Sequence, residues 1–205
     1  MEFDKIKNKG QARLFKNDYM EMMTKTHPVV IYSIYFPVII FMLYYGASYK
    51  GLSPWYELLL FVVGALFWSI FEYVMHRYLF HMIVESPKAM KFVYTMHGVH
   101  HEYPRDKERL FMPPVPSIVV ASLLFRLAHA IMGWTALCFF PGFLFGYLMY
   151  GSMHFAIHAF APPKFLKALW RNHHLHHYKA PEKGFGVSSV LWDVVFKTVP
   201  KKEEA

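Results

Sequence analysis

The sequence predicts an all-α integral membrane protein with four transmembrane helices. Three observations predict it. The 205 residues are 55% hydrophobic and only 18% charged, whereas soluble domains run near about 45–50% apolar and about 25% charged. The apolar residues gather in blocks long enough to span a bilayer. Thirteen histidines, most of them clustered, lie mainly where those blocks meet polar segments. The composition excludes disorder and a plain soluble globule, and the single cysteine, Cys138, excludes an internal disulfide framework. The net charge of +8 raises nucleic acid as a partner. No nucleic-acid-binding motif is present, however, and the basic residues flank apolar blocks, so the expected partner is a membrane.

The chain reads as one membrane domain over residues 1–205. Residues 1–27 are polar, too long and too charged for a secretory signal peptide. Pro28 to Tyr49 is the first apolar block, and Pro37 inside it is tolerable in a membrane helix. A turn over residues 50–54 leads to the second block, Trp55 to Met75, interrupted by Glu57 and Glu72. A polar insert covers 76–114. The third block, Val115 to about Phe160, is long enough for a helical hairpin turning between Gly133 and Gly142. The four spans thus lie within 28–160, and 161–205 form a polar C-terminal segment. Lys and Arg number six in 1–27, six in 76–114 and eight in 159–205, twenty of the 22 in the chain. The positive-inside rule therefore puts both termini, the insert and the clustered histidines on the cytoplasmic side.

The histidines carry the chemistry. His76 and His81 are spaced H-x4-H; His97, His100 and His101 form H-x2-HH; His154 and His158 form H-x3-H; His173, His176 and His177 form a second H-x2-HH around His174. Residues at i and i+3 or i+4 share a helix face, so His154 and His158 can aim at one point, and His97, His100 and His101 can do the same. His76 and His81 are turned apart by about 140° on an ideal helix and need a local helix end, or serve different metals. A single histidine is more often structural than a ligand, which leaves His27 and His129 outside the set, and His174 is also left out. Ten imidazoles exceed the needs of one ion, and two metals with about five nitrogens each fit the count. Structural zinc prefers four ligands and has no redox chemistry. Two many-nitrogen sites beside a membrane therefore suit iron better, with oxygen activation and attack on a C–H bond as the reaction class.

At these residues the sequence resembles the fatty acid hydroxylase / sterol desaturase superfamily of membrane di-metal enzymes, and within it the fatty acid 2-hydroxylases. The motifs run in order from Glu72–His81 through His97–His101, Pro113–Pro116, His154–His158 and His173–Tyr178 to Gly184–Ser189 and Leu191–Asp193. The histidine pattern marks the superfamily. Pro113-Pro114-Val115-Pro116 and Gly184-Phe185-Gly186-Val187-Ser188-Ser189 favour the 2-hydroxylase branch. The resemblance implies four transmembrane helices carrying a cytoplasmic helical cap, with the ten histidines His76, His81, His97, His100, His101, His154, His158, His173, His176 and His177 ligating two metals. It implies iron for activity, zinc being possible in a purified protein. The product would be a 2-hydroxy acyl chain, as free acid or in ceramide. It further implies a lipid acyl substrate, a bacterial inner membrane or the endoplasmic reticulum, and a separate electron donor: cytochrome b5-like, a ferredoxin or a reductase. Eukaryotic members often carry a fused cytochrome b5 domain. No haem motif is seen here, and the 27 residues before the first block are too few for that domain. The family also often has Tyr-Asp before the third cluster, where this chain has Tyr150-Gly151.

Four further side chains are candidates for orienting ligands or lining a substrate groove. Tyr147 and Tyr150 precede His154 by one or two turns. Asp193 is a candidate for orienting a histidine. Arg126 is an intramembrane charge, expected to pair with Glu72 or to snorkel. The competing readings are a carotenoid or sterol hydroxylase or desaturase of the same superfamily, a membrane metal-binding or transport protein without catalysis, and an inactive homologue.

Overall fold

The computed structural model describes residues 6–201; Lys5, Lys202 and the outer ends of the two terminal segments lie outside the described residues. The helices are α1 (Asp18–Met22), α2 (Pro28–Lys50), α3 (Pro54–Val74), α4 (Pro87–Val93), α5 (Val99–Glu102), α6 (Pro114–Met132), α7 (Ala136–Ala159), α8 (Lys167–Tyr178) and α9 (Leu191–Val195). Two π-helical turns interrupt the series, Met75–Phe80 directly after α3 and Tyr94–Gly98 between α4 and α5. Helix starts follow local chemistry. Pro28, Pro54 and Pro87 open α2, α3 and α4, where a missing N–H costs nothing. Ser53 and Ser86 cap the last two by accepting from the amides of Tyr56 and Ala89. His27 caps α2 by accepting from the Val29 amide, which accounts for it without a metal.

The pair that positions the site is α3 and α7. Their close approach is written in glycines. A Cβ on Gly64 would lie 2.0 Å from the Phe139 carbonyl oxygen, one on Gly142 1.9 Å from that of Phe61, and one on Gly146 2.4 Å from Trp68 Cβ. Small residues at such spacing let two backbones touch inside a membrane, where packing and not water drives association. The contacts Glu57–Cys138, Phe61–Gly142 and Trp68–Gly146 advance together along both helices, so α3 and α7 run parallel and end side by side. Helix α2 packs across α7 through Ile31, Tyr35, Ile39, Met42, Phe140, Phe143 and Leu148. Hydrogen bonds Tyr32–Ser152 (2.7 Å) and Tyr35–Ser117 (2.6 Å) tie α2 to α7 and α6. At the other end the Lys50 ammonium sits 3.5 Å from the centroid of Trp134.

The polar N-terminal segment straps this assembly near the histidines. The Lys7 amide donates to the Glu102 carbonyl (2.7 Å) and the Thr26 amide to that of Glu108 (2.9 Å). Glu102 accepts from Lys7 Nζ and from the Tyr94 hydroxyl, both at 2.6 Å. Buried Arg109 pairs with Glu21 and Asp106. The Tyr178 hydroxyl donates to Asn8 (2.7 Å).

Two expectations about the fold are corrected. Three segments, not four, are long and apolar enough to cross a membrane: Pro28–Lys50, Pro54–Phe80 and the 53-residue stretch Lys107–Ala159. The last holds both α6 and α7, joined by the single 3-10 turn Gly133–Thr135 with no polar segment between them. Nor is the histidine site housed in a separate cytoplasmic cap. His76 lies inside the second candidate span, and His154 and His158 lie inside the third. The reason is that the helical path does not stop where apolar composition stops: α3 passes directly into the π turn that carries His76. His81 caps the first π turn, His97 lies in the second, and the short helices α5 and α8 supply the remaining histidines.

Candidate metal centre

The histidines assemble because several elements end at one place. In the π turn after α3 the His81 amide donates to the His76 carbonyl (3.2 Å), an i to i+5 bond. This wide turn brings His76 and His81 to one side, with ring centroids 5.1 Å apart. The local helix end expected for this pair is present, with His81 capping the turn, and the two do not serve different metals. The second π turn ends at Gly98 and hands His97 on to α5, which carries His100 and His101.

Ten histidines form two groups of five. His76, His81, His97, His101 and His176 make the first; His100, His154, His158, His173 and His177 make the second. Within each group the ligand atoms lie within 4.8 Å of one another. The H-x2-HH motifs do not each aim at one point. His97 and His101 turn to the first group while His100 turns to the second; His173 and His177 turn to the second while His176 turns to the first. Residues at i+4 share a face and the one at i+3 is rotated off it, enough to reach the neighbouring group. The groups touch where the rings of His101 and His177 stack at 4.2 Å.

The donor set fits a metal pair. In the first group Nε2 of His97 lies 3.0 Å from Nε2 of both His76 and His101, and Nε2 of His101 lies 3.1 Å from that of His176. In the second, Nε2 of His154 lies 2.8 Å from that of His100, and Nε2 of His173 lies 2.9 and 3.1 Å from those of His158 and His177. Nitrogens bound about 2.1 Å from one ion at right angles stand about 3.0 Å apart. The outward nitrogens of three rings meet backbone oxygens: His76 Nδ1 the Phe185 carbonyl (2.6 Å), His176 Nδ1 the Lys183 carbonyl (2.7 Å) and His154 Nδ1 the Leu110 carbonyl (3.4 Å). Donating from Nδ1 leaves the Nε2 lone pair free to face the centre. Buried His81 Nε2 has no hydrogen-bond partner among the described residues, a further lone pair left for an ion. Burial, followed by the neighbouring imidazoles, presses the pKa values of His97, His100, His101, His173 and His177 well below the usual 6.5. These rings are therefore neutral, as metal ligands must be.

Two buried carboxylates support the first group through a loop. Asp193 touches no histidine; it accepts from the amides of Phe185 and Gly186, from Asn172 Nδ2 and from the Thr198 hydroxyl, at 2.8–3.0 Å. Glu72 accepts from the amides of Val187 and Ser188, each at 2.8 Å, and from the Ser188 hydroxyl. Gly184 turns the loop at φ +71°, and a Cβ on Gly186 would meet the Ser189 carbonyl oxygen at 2.0 Å. The Arg126–Glu72 pairing is therefore not formed, because the loop occupies Glu72, and Arg126 lies exposed on α6. Tyr150 stacks on His154 with centroids 5.7 Å apart. Tyr147 packs among Tyr35, Trp68 and Phe111, away from the histidines. Gly151 admits Phe111, whose ring would stand 2.1 Å from a Cβ there. His174 points outward, beside Tyr178.

Sequence reasoning offered Glu72 as a partner for Arg126 and did not find its role in holding the loop. An acid within a span was the available signal. The carbonyls of Lys183 and Phe185 carry no side-chain signal at all.

Comparison with known proteins agrees with this geometry. A family model described as fatty acid hydroxylase matches residues 61–198. The chain is 38% identical over 194 residues to the ceramide very long chain fatty acid hydroxylase SCS7 of Saccharomyces cerevisiae, covering 93% of this chain and 50% of that protein. It is 38% identical to the dihydroceramide fatty acyl 2-hydroxylase FAH2 of Arabidopsis thaliana, covering 92% and 80%, and 33% identical to the fatty acid 2-hydroxylase of Mus musculus, covering 93% and 57%. Thus the chain spans about half the length of the yeast and mouse relatives. The solved structure of full-length scs7p, in which only the hydroxylase domain is visible, superposes with a TM-score of 0.86 at 37% identity, covering 94% of this chain and 74% of that one. By its histidine scaffold, its sequence and its fold, the chain belongs to the fatty acid hydroxylase family.

Proposed function

We propose that this protein is a membrane di-iron oxygenase that hydroxylates carbon 2 of fatty acyl chains, free or in ceramide. The observation that carries the reading is the pair of five-histidine groups in contact at the ends of the candidate spans. The names of the relatives support the acyl substrate and the position of attack. All ten grouped histidines are the ligands in this reading. Two bound irons would supply activation of dioxygen and attack on a C–H bond.

The chain's own residues supply position and exclusion of water. Nine of the ten rings are held by helices and helical turns and the tenth, His81, directly follows a π turn, which keeps the donor set rigid. Carbon 2 is one bond from the polar end of an acyl lipid. A site at the end of the spans therefore meets it without a deep cavity. Tyr150, stacked on His154 and packed against Trp68, screens one side of the second group and is a candidate wall for the substrate. The basic segments 6–27, 76–114 and 161–201 support a cytoplasmic face for the site. Electrons come from a separate protein donor.

Lipid mass spectrometry of a host producing the protein, beside a His100→Ala control, tests this. Expected are 2-hydroxy acyl lipids with the intact chain only, given an electron donor and ceramide. A ring hydroxyl or a new double bond instead would overturn the position and class of attack.

A further inference from the structure

We infer that the two metal positions are inequivalent: the first group retains its ion and the second exchanges it. The inference rests on the di-metal reading above. In the first group two rings from different elements, His76 and His176, are fixed by one loop, through the Phe185 and Lys183 carbonyls at 2.6 and 2.7 Å. That loop is itself fixed at five donors, the amides of Phe185, Gly186, Val187 and Ser188 and the Ser188 hydroxyl, by Glu72 and Asp193, both under 5% exposed. Asn172, the residue before His173 on α8, joins the same clamp. Tyr73, adjacent to Glu72, bonds Thr198 at 2.9 Å and so closes the loop's far end.

The second group has no such clamp. Nδ1 of His100, His173 and His177 is buried and meets no hydrogen-bond partner among the described residues. The one carbonyl that faces the group stands at 3.4 Å from His154, beyond the ordinary range of about 2.7–3.2 Å. Each group has one half-buried member. That of the second, His158, lines an open cavity of about 660 Å³ together with Arg105, Phe160, His174 and Tyr178. An ion held there has a route to water and loosely oriented ligands. Partners of ligand histidines are worth about 10- to 100-fold in metal affinity, so the clamp is large enough to separate the two sites. Through the loop Asp193 and Glu72 are positioning residues for ring nitrogens of the first site and for none of the second.

The test uses the purified full chain saturated with Co²⁺ and mixed with excess EDTA. Two ions per chain should leave in two phases of equal amplitude, with rates about 10- to 100-fold apart. Asp193→Asn should quicken the slow phase only. Thr198→Val, a milder loosening of the same clamp, should do so to a smaller degree, and serves if Asp193→Asn does not fold. His174→Trp, which fills the cavity, should slow the fast phase only. Release of both ions in one phase, or a clamp variant that changes the fast phase and not the slow one, would overturn the inference while leaving the di-metal reading intact. A folded chain that saturates at fewer than two ions would overturn both.

Discussion

Residue by residue, the site turns on which histidine faces which group. His100 and His176 are the odd members of their motifs, each sent to the group its neighbours do not serve. Truncating either removes one ligand from one group only. His100→Ala and His176→Ala should each abolish product, and each should lower bound metal from two ions per chain to about one; full activity in either variant would remove that residue from the ligand set. Gly186 is a second point of pressure. Its Cβ would sit 2.0 Å from the Ser189 carbonyl oxygen and 2.9 Å from Asp193 Oδ2, so Gly186→Ala must open the loop. It should cost at least about 2 kcal/mol of stability, read as a lower melting midpoint in detergent. A midpoint unchanged from the parent would show the loop to be slack. The ten residues could be picked out of the sequence because imidazoles rarely cluster without cause. Two sets of about five followed from their number, but which histidine joins which set did not, since that depends on a ring rotated one position off a shared helix face. The wide turn at His76–His81 was also invisible, because the i to i+5 bond has no side-chain signature.

Among the elements, α3 and α7 decide whether the groups meet at all. Gly64, Gly142 and Gly146 let the helices touch, and the ends of these helices carry His76 and His81 of the first group and His154 and His158 of the second. Gly142→Leu forces the backbones apart at the Phe61 carbonyl. Product formation and retained metal should fall together, and the loss should exceed that of a Leu127→Ala control on the exposed face of α6. Normal metal content in the Gly142 variant would show that the short helices alone gather the ligands. The apolar blocks were legible because membrane spans are continuous in composition. The joint within the last block was legible too, falling at Gly133–Thr135; the number of candidate spans and the expected cap were not. The joint of Gly133–Thr135 is too short to part the last candidate span in two, and a helix that carries histidines past the end of its apolar stretch looks, in composition alone, like the start of a different layer.

For the whole molecule, burying so many imidazoles together makes the fold sensitive to acid. Burial, and then mutual proximity, holds His97, His100, His101, His173, His176 and His177 well below the usual histidine value. A group whose folded pKa is depressed contributes its full stability above its unfolded pKa, about 6.5, and loses it as pH falls below that. The metal-free protein should therefore keep a level melting midpoint above about pH 7 and lose it progressively below about pH 6. A midpoint that rises on acidification would contradict the neutral, buried state of these rings. The distribution of charge along the chain hinted at a shared face for the polar segments. What it did not disclose was their mutual grip, the contacts of residues 7–26 with residues 94–109 and Tyr178.

That grip has a consequence for the order in which the protein is made. Lys7, Gln11 and Glu21 are synthesised some 88 to 97 residues before the partners they bind across the strap, and Asn8 170 residues before Tyr178. Contacts of such separation form only after the chain between them has been threaded and packed. The strap is therefore early in translation and late in folding: it cannot close fully until the helices bearing both H-x2-HH motifs have left the ribosome.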